Sequence, residues 1–189
     1  MTSEPENPTE TIKAVDEVVD IVSKLIRFDT TNTGEPETTK GEEDCAKWVA
    51  GMLEEVGYTT QYVESGRAGR GNVFARLPGP PDSDRGALLI HAHLDVVPAE
   101  PADWSVHPFS GSVSDGYIWG RGAVDMKDMA GMALALARQF AREGTVPPRE
   151  LVFAFLADEE AGGTWGSHWL VEHRPDPVSY KHLTLPTKG

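Results

Sequence analysis

The stretch LLIHAHLDVVP, residues 88–98, begins as an apolar run suited to a buried strand and turns polar at His91, His93 and Asp95. Charge carried into a protein interior is costly without a partner. Either these groups satisfy one another, or a cation gathers at the strand end. Residues two apart on extended backbone face the same way, so Asp95 can accept the Nδ1–H of His93 and leave Nε2 for a metal. That carboxylate–histidine–metal arrangement fixes the tautomer and raises ligand basicity. A plain His–Asp bond closing the strand fits the same spacing.

Two further stretches place metal-type ligands after a strand or a glycine turn. In GRGAVDMKDMAG, residues 120–131, Gly120 and Gly122 permit tight backbone, so Asp125 can be projected from a loop that opens a helix. The stretch lacks the third glycine and the Lys-Ser/Thr ending of a phosphate loop. Asp125 is also suited to be a helix N-cap. Asp158-Glu159-Glu160 follows the apolar run LVFAFLA, residues 151–157. Three adjacent acids form either a solvated turn or a site where a cation neutralises one and leaves a neighbour free as a general base. In open α/β sheets, ligands collect at the carboxyl ends of the strands. Imidazole and carboxylates without thiolates suit zinc or a similar divalent ion. One carboxylate can bridge two ions about 3.5–4 Å apart, a hydrolytic arrangement.

Outward from these stretches, the pattern alternates helix and strand. Ile12, Val15, Val18, Val22, Leu25 and Ile26 recur at helical spacing, and a second helix is expected over 41–56 with Gly57 as its stop. Strands are expected over 58–64, 72–77, 87–92 and 150–157, and a hairpin over 112–119 around Asp115-Gly116. Helices are expected over 129–143 and 165–173. Residues 29–34 read as a polar loop and 67–71 as a turn. The expected fold is α/β: a mixed, mostly parallel central sheet flanked by helices, with 87–92 as a central strand.

The chain has 189 residues, a net charge of −13 and 39% apolar residues, enough for one ordinary soluble domain or part of a larger one. The acidity argues against nucleic-acid or anionic-membrane partners. Cys45, the only cysteine, excludes an intrachain disulfide and a thiolate cluster, and its helical setting reads as core. With no signal-peptide core and no apolar run near the roughly 20 residues of a membrane span, a cytoplasmic address is expected. Residues 1–9 read as a disordered leader and 10–177 as the body of the domain. Residues 178–189, VSYKHLTLPTKG, carry Lys181, His182 and Lys188 without an acid, and read as a non-native tail on a truncated chain.

HLDVVP at 93–98, GRGAVDMKDMAG at 120–131 and ADEEAGG at 157–163 together resemble the M20 metallopeptidases, a family of aminoacylase, deacetylase, desuccinylase and carboxypeptidase types. DWSVHPFSG at 103–111 and the DGYIWGRG lead-in are similar to the same family. The resemblance implies a zinc-exopeptidase-like catalytic domain that cleaves an amide bond in an N-acyl amino acid or short peptide. It implies two divalent ions, zinc first, with cobalt or manganese as alternatives. His93 would ligate one ion with Asp95 orienting it. Asp125 would bridge both ions and be followed by a cis peptide bond. Glu160 would ligate the second ion, and Glu159 would be the general base. The family's further acidic ligand, last histidine and inserted lid or dimerisation domain have no clear place here, so the chain by itself is expected to be inactive and a full-length parent to dimerise. Asp176 lies too close to the DEE, and His182 in the tail, to stand in for those ligands. Two other readings stand beside this one. HAHLDV suggests a metallo-β-lactamase-like or amidohydrolase-like site using His91 and His93, although Val96 stands where the former needs histidine. A non-catalytic binding or scaffold module is the other. His91 itself is expected to be structural, bonded near the strand end, and His107, His168 and His173 to lie at the surface or behind the site.

Overall fold

The computed structural model describes residues 11–174. The expected leader and the 178–189 tail, with Asp176 and His182, lie outside the described residues.

In chain order the elements are α1 (Ala14–Ile26), α2 (Glu43–Glu54), β1 (Thr60–Glu64), β2 (Gly71–Leu77), β3 (Leu88–His93), β4 (Ser112–Ser114), β5 (Tyr117–Trp119), α3 (Lys127–Glu143), β6 (Leu151–Leu156) and α4 (Ser167–His173). Every expected element is present, with ends shifted by a few residues. The main sheet runs β1-β2-β6-β3, and β4-β5 form a separate hairpin. The sheet is mixed and flanked by helices. Its one parallel pairing among the described residues is β3 with β6, whereas β1–β2 and β2–β6 are antiparallel. This differs from a mostly parallel sheet. Strand β3, expected to be central, is an edge of the described sheet, while β6 is central.

One sheet face packs on α1, α2 and α3 through Leu25, Val49, Leu53, Val73, Leu134, Phe153 and Phe155, all essentially without solvent contact. Each such side chain contributes about 1.5–3 kcal/mol on burial. Small residues on α3 let α1 approach closely: a Cβ at Gly131 would stand 2.3 Å from Val22 Cγ2. Ile12 and Val15, which continue the apolar spacing of α1, are exposed, because the helix buries only its Ile21–Ile26 half deeply. The opposite sheet face is covered more thinly, by Leu170 and Trp169 of α4 on Val63, Phe74 and Ala154.

The parallel pairing positions the candidate site. His93 is in register with Leu156, so the chain beyond β3 and the chain beyond β6 emerge side by side at one rim. A bridge between Thr31 and Val96 brings the loop after α1 to the same rim. No described helix is long and apolar enough to cross a membrane.

Candidate metal centre

Three segments deliver the ligand-type side chains. His93 ends β3 and is 5% exposed. Asp125 comes from the glycine-rich approach to α3. There Gly120 and Gly122 have φ of +154° and +82°, and a Cβ would fall 2.3 Å from Ile26 and 2.7 Å from Val96. Only glycine fits such closely packed, left-handed backbone. The N-cap position belongs to Met126, which makes no capping bond, so Asp125 is not the cap that its residue type allowed. The Asp125–Met126 peptide is cis, as the family resemblance implied. Glu159 and Glu160 follow β6 after Asp158, whose φ is +65°.

Ligand atoms of His93, Asp125 and Glu160 lie within 4.8 Å of one another. His93 Nε2 is 3.1 Å from Asp125 Oδ1 and 3.8 Å from Glu159 Oε2. Its Nδ1 is 3.0 Å from the Asp95 carbonyl oxygen and 3.4 Å from the Asp95 carboxylate. The backbone carbonyl is therefore the nearer acceptor, where side-chain alternation alone pointed to the carboxylate. Asp95 is wholly buried, and its carboxylate accepts the backbone N–H of Glu159 and of Glu160, each at 3.0 Å. One acid thus orients the imidazole and pins the loop that carries the other two. Glu159 keeps a side chain 64% exposed.

Burial opposes protonation of His93, but bonds to Asp95 and Asp125 outweigh it and push the imidazole up to about 9. Burial likewise raises Asp95, yet His93, the Asn32 amide and the Glu160 N–H hold it below its usual range. Burial, with the charges of Asp125 and Asp95, raises Glu160. The field that holds a proton on His93 is the field a cation would meet there. One imidazole nitrogen turned outward, two carboxylates beside it, and a second imidazole nitrogen already engaged form a donor set that fits a divalent cation.

Hollows of about 380 Å3 and about 250 Å3 flank the group, the first lined by His91, His93, Glu159 and Ser167, the second by Gly122, Asp125 and Glu160. His91, expected to be bonded, is exposed and is not part of the three-residue group. His107, His168 and His173 are exposed. Cys45 is buried in the core, and burial pushes its thiol up to about 12.

The sequence reading missed what lies beneath the site. Asn32, in the polar loop, donates to Asp95 Oδ2 at 2.8 Å and Asp158 Oδ1 at 2.9 Å. Arg70, in the turn, lies 3.1 Å from Asp158 and 2.7 Å from Glu42. Asp158 is therefore neither a solvated acid nor part of the ligand group. Its neutralising cation is a guanidinium. Lys127 is fully buried with Nζ donating to the Phe28 carbonyl at 2.8 Å, and burial lowers its pKa. A lone polar residue in a loop has no periodicity, and only burial distinguishes it. The available signal was charge balance: several acids near one rim need buried cations.

Residues 89–187 match the model of peptidase family M20/M25/M40. Over 158 residues the chain is 37% identical to the succinyl-diaminopimelate desuccinylase of Bradyrhizobium sp. (strain ORS 278), covering 79% of this chain and 40% of that protein. Human carnosine dipeptidase 1 has a similar fold, with a TM-score of 0.70 at 22% identity over 87% of this chain and 36% of that one. For the di-peptidase Dug1p of Saccharomyces cerevisiae the TM-score is 0.65 at 21% identity, over 78% of this chain and 33% of that one. The chain spans 40% or less of the length of each of these relatives.

Proposed function

We propose, from the premise that this chain belongs to peptidase family M20/M25/M40, that its site serves metal-dependent hydrolysis of an amide bond in an N-acyl amino acid or short peptide. The observation that carries this reading is the approach of His93, Asp125 and Glu160 ligand atoms to within 4.8 Å at the shared rim of two parallel strands. In this reading His93, Asp125 and Glu160 would hold two divalent ions, with zinc the first choice and cobalt or manganese alternatives. Bound there, the ions would supply Lewis acidity toward the scissile carbonyl and an acidified water.

The chain's own residues have distinct tasks. Asp95 keeps Nδ1 of His93 engaged, so that Nε2 faces the site. Glu159 projects an exposed carboxylate beside His93 and serves as the general base, taking a proton from water and returning it to the leaving amine. The substrate class rests on the relatives, one named for removing a succinyl group from an amino acid and two for cleaving dipeptides. A cytoplasmic, homodimeric protein is part of the same reading.

The test is Glu159→Ala in the protein at the length of its relatives. Turnover of an N-succinyl amino acid or dipeptide should fall by at least about 100-fold, while metal content measured by atomic emission stays unchanged. Retained turnover would remove Glu159 from the role of base.

A further inference from the structure

We infer that Arg70 is the positioning residue for the loop that carries Glu159 and Glu160. It touches none of the ligand-type side chains and acts through Asn32 and Asp158. Its guanidinium is 2% exposed. Nη1 donates to Glu42 Oε1 at 2.7 Å, and Nη2 donates to Asn32 Oδ1 at 3.1 Å and lies 3.1 Å from Asp158 Oδ1.

The decisive contact is the one to Asn32. A primary amide presents an acceptor at one end and two donors at the other. Arg70 engages Oδ1 together with the Gly34 N–H at 3.1 Å and the Thr39 hydroxyl at 3.3 Å. Arg70 is the charged donor of the three, so Nδ2 is turned toward the acids and bonds both Asp95 and Asp158. A flipped amide would set oxygen against two carboxylates. Asp95, held in this way, accepts the N–H groups of Glu159 and Glu160. Asp158, held by the same guanidinium, anchors the far side of the loop by accepting the Trp165 N–H at 2.8 Å. One planar fork therefore serves three acceptors. A lysine ammonium keeps the charge but lacks the fixed fork that serves them together.

This inference deepens the metal reading above and rests on it for its second measurement only. The first measurement is amide hydrogen exchange by NMR on the metal-free chain, comparing wild type with Arg70→Lys and Asn32→Leu at a temperature where circular dichroism shows all three folded. The Glu159 and Glu160 amides should exchange at least tenfold faster in both variants, with Phe153 and Ala154 of β6 unchanged. The second is zinc titration by calorimetry in the protein at the length of its relatives, in which both variants should bind at least tenfold more weakly. Wild-type protection at Glu159 and Glu160 overturns the inference. So does uniform acceleration through β6, which marks a general loss of stability. Faster loop exchange with unaltered zinc affinity also overturns it, since the loop would then be moved without consequence for the site. If wild type takes up no zinc, the metal reading fails and the exchange result alone decides whether Arg70 sets the loop. Should Arg70→Lys not fold, Asn32→Leu carries both measurements.

Discussion

Two charge clusters cross-link this molecule, and they differ in how much water reaches them. Beneath the site, Glu42, Arg70 and Asp158 have side chains 0–3% exposed. Between α1 and α3, Glu17 is gripped by Arg142 at 2.8 and 2.9 Å and by Arg138 at 3.2 Å, with Glu55 beside Arg138 and 62% exposed. The chemistry is alike, carboxylates against guanidinium forks. In the buried cluster each ion depends wholly on its partners for solvation, so geometry is over-determined and removal of one member strands the others. In the helix clamp, Glu17 and Arg142 keep 15% and 17% of their side chains exposed and Arg138 8%, so water reaches it more than the buried cluster and softens its losses in part. The buried cluster also holds an unpartnered atom, Glu42 Oε2, which the clamp lacks among the described residues.

Arg70→Leu tests that contrast at its largest. Removing one partner of a buried pair should lower stability by about 3–5 kcal/mol in urea denaturation. A loss no larger than about 1–2 kcal/mol, the size expected for a charged hydrogen bond in the helix clamp, would place the two clusters in one energetic class.

Next in size is their opposite response to pH. Burial, with the charges of Asp95 and Asp158, pushes the Glu42 carboxyl up to about 7 against the pull of Arg70. A folded value above the unfolded one makes this contribution complete below the ordinary carboxylate range and lost as pH rises through about 7. Melting temperature should therefore fall between pH 5 and pH 8, within the window set by that raised carboxyl, and Glu42→Gln should flatten the decline. Burial also works against ionisation of Glu17, but Arg142 and Arg138 outweigh it and hold its carboxyl below the usual range. Its contribution is complete above that range and lost as pH falls through the depressed value. Glu17→Gln should cost about 1–2 kcal/mol at neutral pH, and the deficit should disappear in acid. Equal pH slopes in the two variants would erase the distinction.

The smallest effect belongs to the solvent-exposed pair of Lys47 with Glu43 on α2. Lys47→Ala should leave the melting temperature unchanged by calorimetry, because water and side-chain entropy cancel such a contact. A measurable drop would show that exposure is not what separates the clusters.

Much of the site was legible because its ligand-type residues follow directly after strong local signals. His93 ends an apolar run, Glu160 follows another, and Asp125 sits behind two glycines that only tight backbone requires. Parallel neighbouring strands end at one rim, which is enough to bring sequence-distant residues together. The elements were legible for the same reason, from Gly57 as a helix stop to Asp115-Gly116 as a hairpin turn. Less legible was β3 as an edge strand, since an uninterrupted apolar run does not tell which strands lie beside it. Asp158 was least legible of all. In sequence it is one of three like acids, and in the fold it alone turns inward to Arg70 while Glu159 and Glu160 face the site.

The sequence by itself determined the elements, the presence of an apolar core and which ligand-type residues stand just past the strand ends and the glycine turn. Periodicity, glycine turns and strand-end ligands express neighbours a few residues apart, and the chain records those directly. Only the tertiary structure decided which acid pairs with Arg70, how the Asn32 amide is turned, and which carboxylates remain for a cation. Desolvation and Coulomb energy depend on distance in space, and Asn32, Arg70, Asp95 and Asp158 become neighbours only when the loops after α1, β3 and β6 and the turn before β2 meet at one rim.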